Sequence, residues 1–191
     1  MALKLITAPA VEPLTVADAV TLAHLRVDSS ELNAAIALYI AAARRQAEHI
    51  TERALITQTW ELALDAYPAA EIRLPRPNLL SIVSVKYDDV NQVEQTLLNT
   101  AYTADTYSQP GWVLPAYGTA WPTALAAANS VRIRYTCGYG PTAADVPEGI
   151  RQWMLLQVRN MVDNPGAMVN NRLLVPPHVE RLLDAYRVWV L

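Results

Sequence analysis

The apolar residues of this chain change period at Thr57. Upstream, Leu32, Ala35, Ile36, Tyr39, Ile40, Ala43, Ala47 and Ile50 recur at the spacing of one helix face. Downstream, Trp60, Leu62 and Leu64 alternate with Thr59, Glu61 and Ala63, the two-residue period of a strand. One segment cannot satisfy both periods, so a helical part and a β part meet here. The helical period returns with Ile150, Trp153, Met154, Gln157, Val158 and Met161, and again with Val179, Leu182, Leu183, Tyr186 and Val190.

Local chemistry marks the boundaries. Thr15 with Asp18 three residues later forms a capping box for a first helix, about 15–27, whose face holds Ala19, Leu22, Ala23 and Leu25. Asp28 or Ser29 caps the second, about 29–53, which at ~1.5 Å per residue reaches roughly 36 Å. Pro147 suits the first turn of a third helix, about 147–163, where Glu148 meets the positive end of the dipole, and Asn164-Pro165-Gly166 stops it. Pro176-Pro177 precede a fourth, about 178–190. Strands are predicted at 57–64, 72–74, 82–87, 93–98, 102–107 and 131–137, with Asp88-Asp89-Val90-Asn91 as a turn. Residues 109–128, with three prolines and two tryptophans, read as an irregular loop, and Tyr67–Asp89 as a pair of strands bracketed by Pro75 and Pro77. The expected fold is α+β and mainly helical: an N-terminal helix pair, a central antiparallel β insert at about 57–137, and two C-terminal helices, in a single domain over 1–191.

With 191 residues and 52% hydrophobic content, the chain can bury a sizeable core. The net charge of −3 lacks the basic excess that neutralising phosphates demands, so sequence-specific nucleic-acid binding is disfavoured. The single cysteine, Cys137, excludes an intrachain disulfide and suits a reducing compartment. The opening MALKLITAP is too short an apolar run for a secretory signal, and no segment approaches a membrane span of about 20 apolar residues.

Candidate chemistry is sparse. His24, His49 and His178 have no partners at metal-ligand spacing, and Cys137 has no histidine placed to activate it, so no metal, cofactor or catalytic set is expected. Gly138-Tyr139-Gly140 lacks the spacing of a phosphate-binding loop and reads as a turn after a strand. Arg44-Arg45 with Glu48 and Glu52-Arg53 reads as a solvated helix face with local pairs, an array that could also bridge subunits. Trp112 and Trp121 could stack on a sugar or base, but more often such residues cover a core or anchor an interface.

Four stretches occur in the order found in a known family: PLTVADAVTLAHLRVD, AARRQAEHITERALITQTWELALD, IRLPRPNLLSIVSVKYDD and VRIRYTCGYGPTAADVPEGIRQWMLLQV. With these, the chain resembles the head-tail connector (adaptor) proteins of tailed bacteriophages and prophages, the HK97 connector-like proteins among them. The turn after Tyr87 departs from that pattern in having no glycine. The resemblance implies a non-enzymatic virion protein, assembled in the bacterial cytoplasm as a self-associated ring, typically a dodecamer, at the head-tail junction. It implies the portal on one side, a head-completion (stopper) or tail protein on the other, DNA passing through the lumen without sequence-specific binding, and no membrane. Arg44, Arg45 and Glu48 are then candidates for the subunit interface. Pro75 and Pro77 join them, because prolines limit stray edge pairing and fix the direction of a strand that could clasp a neighbour. Val179, Leu182, Leu183, Tyr186 and Trp189 on the last helix are candidates for docking on the portal, packing on the chain's own core being the competing expectation. The alternative to the connector is a monomeric α+β module binding a small ligand or glycan through Trp112 and Trp121.

Overall fold

The computed structural model describes residues 1–25, 30–69, 71–164, 179 and 181–188. Its contacts gather into two compact units, one of residues 1–9 with 57–139 and one of residues 10–56 with 140–191. The α+β class holds: among the described residues 35% are helical and 27% lie in strands.

The first unit is built on a five-stranded antiparallel sheet in the order β1 (Ala2–Thr7), β2 (Gln58–Leu64), β8 (Val131–Cys137), β4 (Leu79–Asp88), β5 (Glu94–Leu97). The alternation in β8 is strict: Val131, Ile133, Tyr135 and Cys137 are buried, whereas Arg132, Arg134 and Thr136 are half-buried on the other face. Register sets Leu62 and Val85 on either side of Ile133, and all three are fully buried. A three-stranded sheet, β3 (Ile72–Arg73), β7 (Trp112–Pro115), β6 (Tyr102–Asp105), adds Ile72 and Val113 to the buried set.

Three expectations change here. The chain opens with a strand rather than a helix, because Ala2–Thr7 finds β2 as its partner. The bracketed stretch is not a strand pair: β3 joins β7 while β4 joins β8 and β5 in a different sheet. The expected loop 109–128 contains β7, whose pairing with β6 and β3 overrides its prolines; Pro115 sits at the strand end, where the missing N–H costs least.

The second unit holds α1 (Val16–Leu22), α2 (Ser30–Thr51) and α3 (Glu148–Asp163). Thr15 and Asp18 make the capping box, with Asp18 N–H donating to the Thr15 hydroxyl at 3.0 Å and Thr15 N–H to the Asp18 carboxylate at 3.0 Å. These bonds from Thr15 hold the Asp18 carboxyl below its ordinary pKa. α1 stops short of 27 because His24 takes a left-handed conformation (φ 52°), which lets Leu25 N–H bond Val20 C=O at 3.0 Å and tucks Leu25 into the core. Glu52 (φ 59°) ends α2 in the same region. The expected caps Asp28 and Ser29 lie outside the described residues. The α3 stripe is the predicted one, Ile150, Trp153, Met154, Gln157, Val158 and Met161, with Pro147 as N-cap rather than in the first turn. Within 178–190 Val179 is α-helical, but Arg181–Tyr186 form a 3-10 helix where the α-helix was expected to continue, and 178, 180, 189 and 190 lie outside the described residues.

Candidate assembly surfaces

Arg44 and Glu48 are not a solvated face. They stand on the inner stripe of α2 with Ile40, Ala43 and Ala47, and Arg44 is 8% exposed. Its Nε donates to Glu12 Oε2 and its Nη1 to Glu48 Oε2, both at 2.7 Å. The other oxygen of Glu48 accepts from the Leu55 N–H at 3.1 Å, tying the end of α2 to the segment that leaves it. Helical spacing alone makes i,i+4 partners of Arg44 and Glu48; the second partner of Arg44, Glu12, comes from 32 residues away. Arg45, one residue on, is exposed, as is His49. Of the three residues expected at a subunit interface on α2, only Arg45 is therefore open to solvent.

The prolines are likewise turned to internal use. Pro77 is buried, and the Pro75 carbonyl accepts a 2.8 Å hydrogen bond from the Tyr135 hydroxyl. That phenol is pushed above its ordinary pKa by desolvation. Between them Arg76 (φ 63°) places its guanidinium 5.5 Å from the Trp60 ring centroid, within range of a cation–π contact.

Of the residues expected to dock on the portal, Val179 and Leu183 are buried, Leu183 completely, and Leu182 and Tyr186 are half-buried. The Tyr186 carbonyl accepts from Arg53 Nε at 2.6 Å, and its hydroxyl lies where a Cβ on Gly149 would come within 2.8 Å. Val188 N–H bonds the Thr51 carbonyl at 3.2 Å. The described part of this segment thus packs on α2 and α3. Trp189 lies outside the described residues.

Other side chains, unremarked in the sequence, face solvent. The ladder between β4 and β8 slips at Leu79/Ser81 and again at Ile82/Ser84, so Leu80 and Val83 have no partner on β8. Such bulges re-aim a side chain, and here Leu80 is 43% and Val83 54% exposed. β5 pairs β4 only over Val85–Asp88, which leaves this stretch without a strand on its far side. The signal was present: Leu79-Leu80-Ser81-Ile82-Val83 is apolar at both parities, which an unbulged half-buried strand does not show. At the β4–β5 turn Val90 and Val93 are exposed, with Leu98 beyond β5.

The outer face of the five-stranded sheet carries paired charges. Arg132 bonds Asp88 at 2.7 Å and Glu94 at 2.9 Å, Lys86 bonds Glu94 at 2.7 Å, and Arg134 bonds Glu61 at 2.7 Å. With Lys86, Arg132 and Arg134 each matched to a carboxylate, this face lacks the concentrated positive field that holds phosphates. Trp121 stacks on Tyr67 at 4.7 Å and Tyr67 meets Tyr87 edge-on at 5.9 Å, while Trp112 stands between Arg73 and Asp105 on β7. The two tryptophans thus have different neighbours. Cys137 is buried at the end of β8. Among the described residues no three His, Cys, Asp or Glu side chains gather as a metal site, and no helix is long and apolar enough to cross a membrane.

No family model and no curated protein matches this chain. Solved structures do. Over 100% of this chain and 98% of the other, the fold matches a chain in the neck of an empty gene transfer agent particle computed with C6 symmetry, with a TM-score of 0.81 and 23% identity. It matches one in the virion of the native gene transfer agent particle at 0.80 and 24% identity, and one in the neck of the native particle computed with C12 symmetry at 0.76 and 23%, with the same coverage. The fold of this chain, in both units, is one found in the necks of gene transfer agent particles.

Proposed function

We propose that the protein is a structural, non-enzymatic head-tail connector (adaptor) of a tailed phage, prophage or phage-like particle. Copies associate as a ring, twelve in the virion, between the portal and the head-completion or tail proteins. The observation that carries this reading is the end-to-end likeness to chains from particle necks, which takes in both units and leaves almost none of either chain over. Two features of the molecule support it. Apolar side chains stand free on β4 and around the β4–β5 turn, as a subunit needs where it meets a neighbour. The paired charges on the outer sheet face suit a surface near DNA without gripping it.

Contacts between neighbours in a ring are head-to-tail, so each copy uses two different surfaces. We assign one to the exposed Leu80–Val83 stretch of β4 and retain Arg45, on the exposed side of α2, as a rim charge. Portal docking by the C-terminal segment falls to Leu182 and Tyr186, since Val179 and Leu183 are engaged in the unit's own core. The test is mass measurement and negative-stain electron microscopy of the purified protein, alone and mixed with the portal encoded beside it. The expected result is closed rings, formed alone or on the portal. A protein that stays monomeric at every concentration and does not bind that portal is not a connector.

A further inference from the structure

We propose that the solvent face of the three-stranded sheet, with the β6–β7 loop, is a binding site for a neutral saccharide. The register sets Arg73 opposite Trp112 and Trp112 opposite Asp105. Side chains directly opposite one another share a face, so a guanidinium, an indole and a carboxylate stand in one row. Their strand neighbours Ile72 and Val113 point the other way and are buried.

Residues 106–111 turn back over this row, and one carboxylate organises the turn. Asp105 accepts from Tyr107 N–H at 2.7 Å, Ser108 N–H at 3.2 Å and the Ser108 hydroxyl at 2.6 Å. These bonds, the Ser108 hydroxyl first, hold its carboxyl below the ordinary range. Gly111 closes the loop where a Cβ would come within 2.6 Å of Leu79 Cβ and 2.9 Å of the Asp105 carbonyl. A loop fixed in this way loses little entropy on meeting a ligand.

Between loop and sheet lies a cavity of about 380 Å³ lined by Glu71, Arg73, Ser108, Gln109, Pro110 and Trp112, a volume in the range of small-ligand sites. Glu71 and Arg73 pair at 3.3 Å, so the lining carries one charge of each sign and selects neither an anion nor a cation. Half-buried Trp112 offers a π face, whose negative potential suits the C–H side of a sugar ring. The hydroxyl, amide, carboxylate and guanidinium around it supply the acceptors and donors that ring hydroxyls require. An apolar peptide side chain finds no such match, since only Trp112 and Pro110 in the lining are apolar. The site lies wholly within the first unit and does not depend on ring formation.

The test is a titration of the full chain with maltose, cellobiose, lactose and N,N′-diacetylchitobiose, and with glucuronate as the anionic comparison, up to about 10 mM, followed by saturation-transfer NMR. At least one sugar is expected to bind. Trp112→Ala should weaken it by about tenfold or more and Arg73→Ala by several-fold, while Tyr117→Ala, at a fully exposed aromatic outside this cavity, leaves it unchanged. Circular dichroism checks that each variant is folded; should Trp112→Ala misfold, the exposed Arg73 carries the comparison. Binding of none of the four sugars overturns the proposal. So does binding that Arg73→Ala and a folded Trp112→Ala leave intact, or binding of glucuronate alone, which would make this an anion site.

Discussion

Arg44 shows how little a residue's type says about its task. In sequence it belongs to a charged helix face; in the fold it is held between Glu12 and Glu48 and nearly closed to water. Removing one member of a buried ion pair leaves its partners desolvated without compensation, a loss of about 3–5 kcal/mol, whereas an exposed charge change falls within about 0.5 kcal/mol. Arg44→Ala is therefore expected to lower the melting temperature strongly and Arg45→Ala hardly at all, as thermal denaturation followed by circular dichroism would show. Equal melting temperatures would mean that the Glu12–Arg44–Glu48 cluster contributes nothing. The same contrast holds at the C-terminal end. Leu183→Ala should cost about 2–5 kcal/mol through the cavity it leaves, while Leu182→Ala, at a half-buried side chain, costs less.

At the scale of elements, the β4–β5 hairpin is stabilised by carboxylates in place of a glycine turn. Asp89 accepts from the N–H groups of Asn91 at 2.8 Å and Val93 at 3.1 Å and from the Gln95 amide at 3.0 Å, and Gln92 (φ 64°) takes the left-handed position. The Val93 N–H leads in holding the Asp89 carboxyl low; Arg132 does so for Asp88, and Lys86, then Arg132, for Glu94. Folded-state values below the unfolded ones mean that this stabilisation is complete above the ordinary 3.8 and 4.5 and is lost as the pH falls through the depressed values. Melting at pH 6 and pH 3 should show the first unit less stable in acid, and the gap should narrow in Asp89→Asn, which cannot titrate. An unchanged gap in that variant would assign the acid sensitivity elsewhere.

At the scale of the whole molecule, each unit is discontinuous in sequence, so the β part draws its edge strand β1 from the chain's first residues and the helical part is completed only after residue 140. Cooperative folding of either unit thus requires contacts between distant segments, which slow folding more than they limit stability. Leu80→Asp with Val83→Asp changes two solvent-facing side chains and should leave melting within about 1 kcal/mol. If β4 carries the ring contact, the same variant should be monomeric by mass photometry. Intact rings from it would move the interface to another surface.

Helix faces were legible in the sequence because they depend on local spacing: the α3 stripe and the Thr15–Asp18 capping box stand as read. The alternation of β8 was legible for the same reason. Helix ends were less so, since His24 and Glu52 occupy the left-handed positions where glycine would have announced a stop. Strand partners were not legible at all. Nothing local in Ala2–Thr7 names β2 as its neighbour, and nothing in Ile72–Arg73 sends it to β7 rather than β4, because pairing is a bargain among segments far apart in the chain. Burial of charge followed the same division: the i,i+4 spacing of Arg44 and Glu48 is a property of the sequence, but only the tertiary structure buried that pair on the inner stripe of α2 and brought Glu12 and the Leu55 N–H to satisfy it.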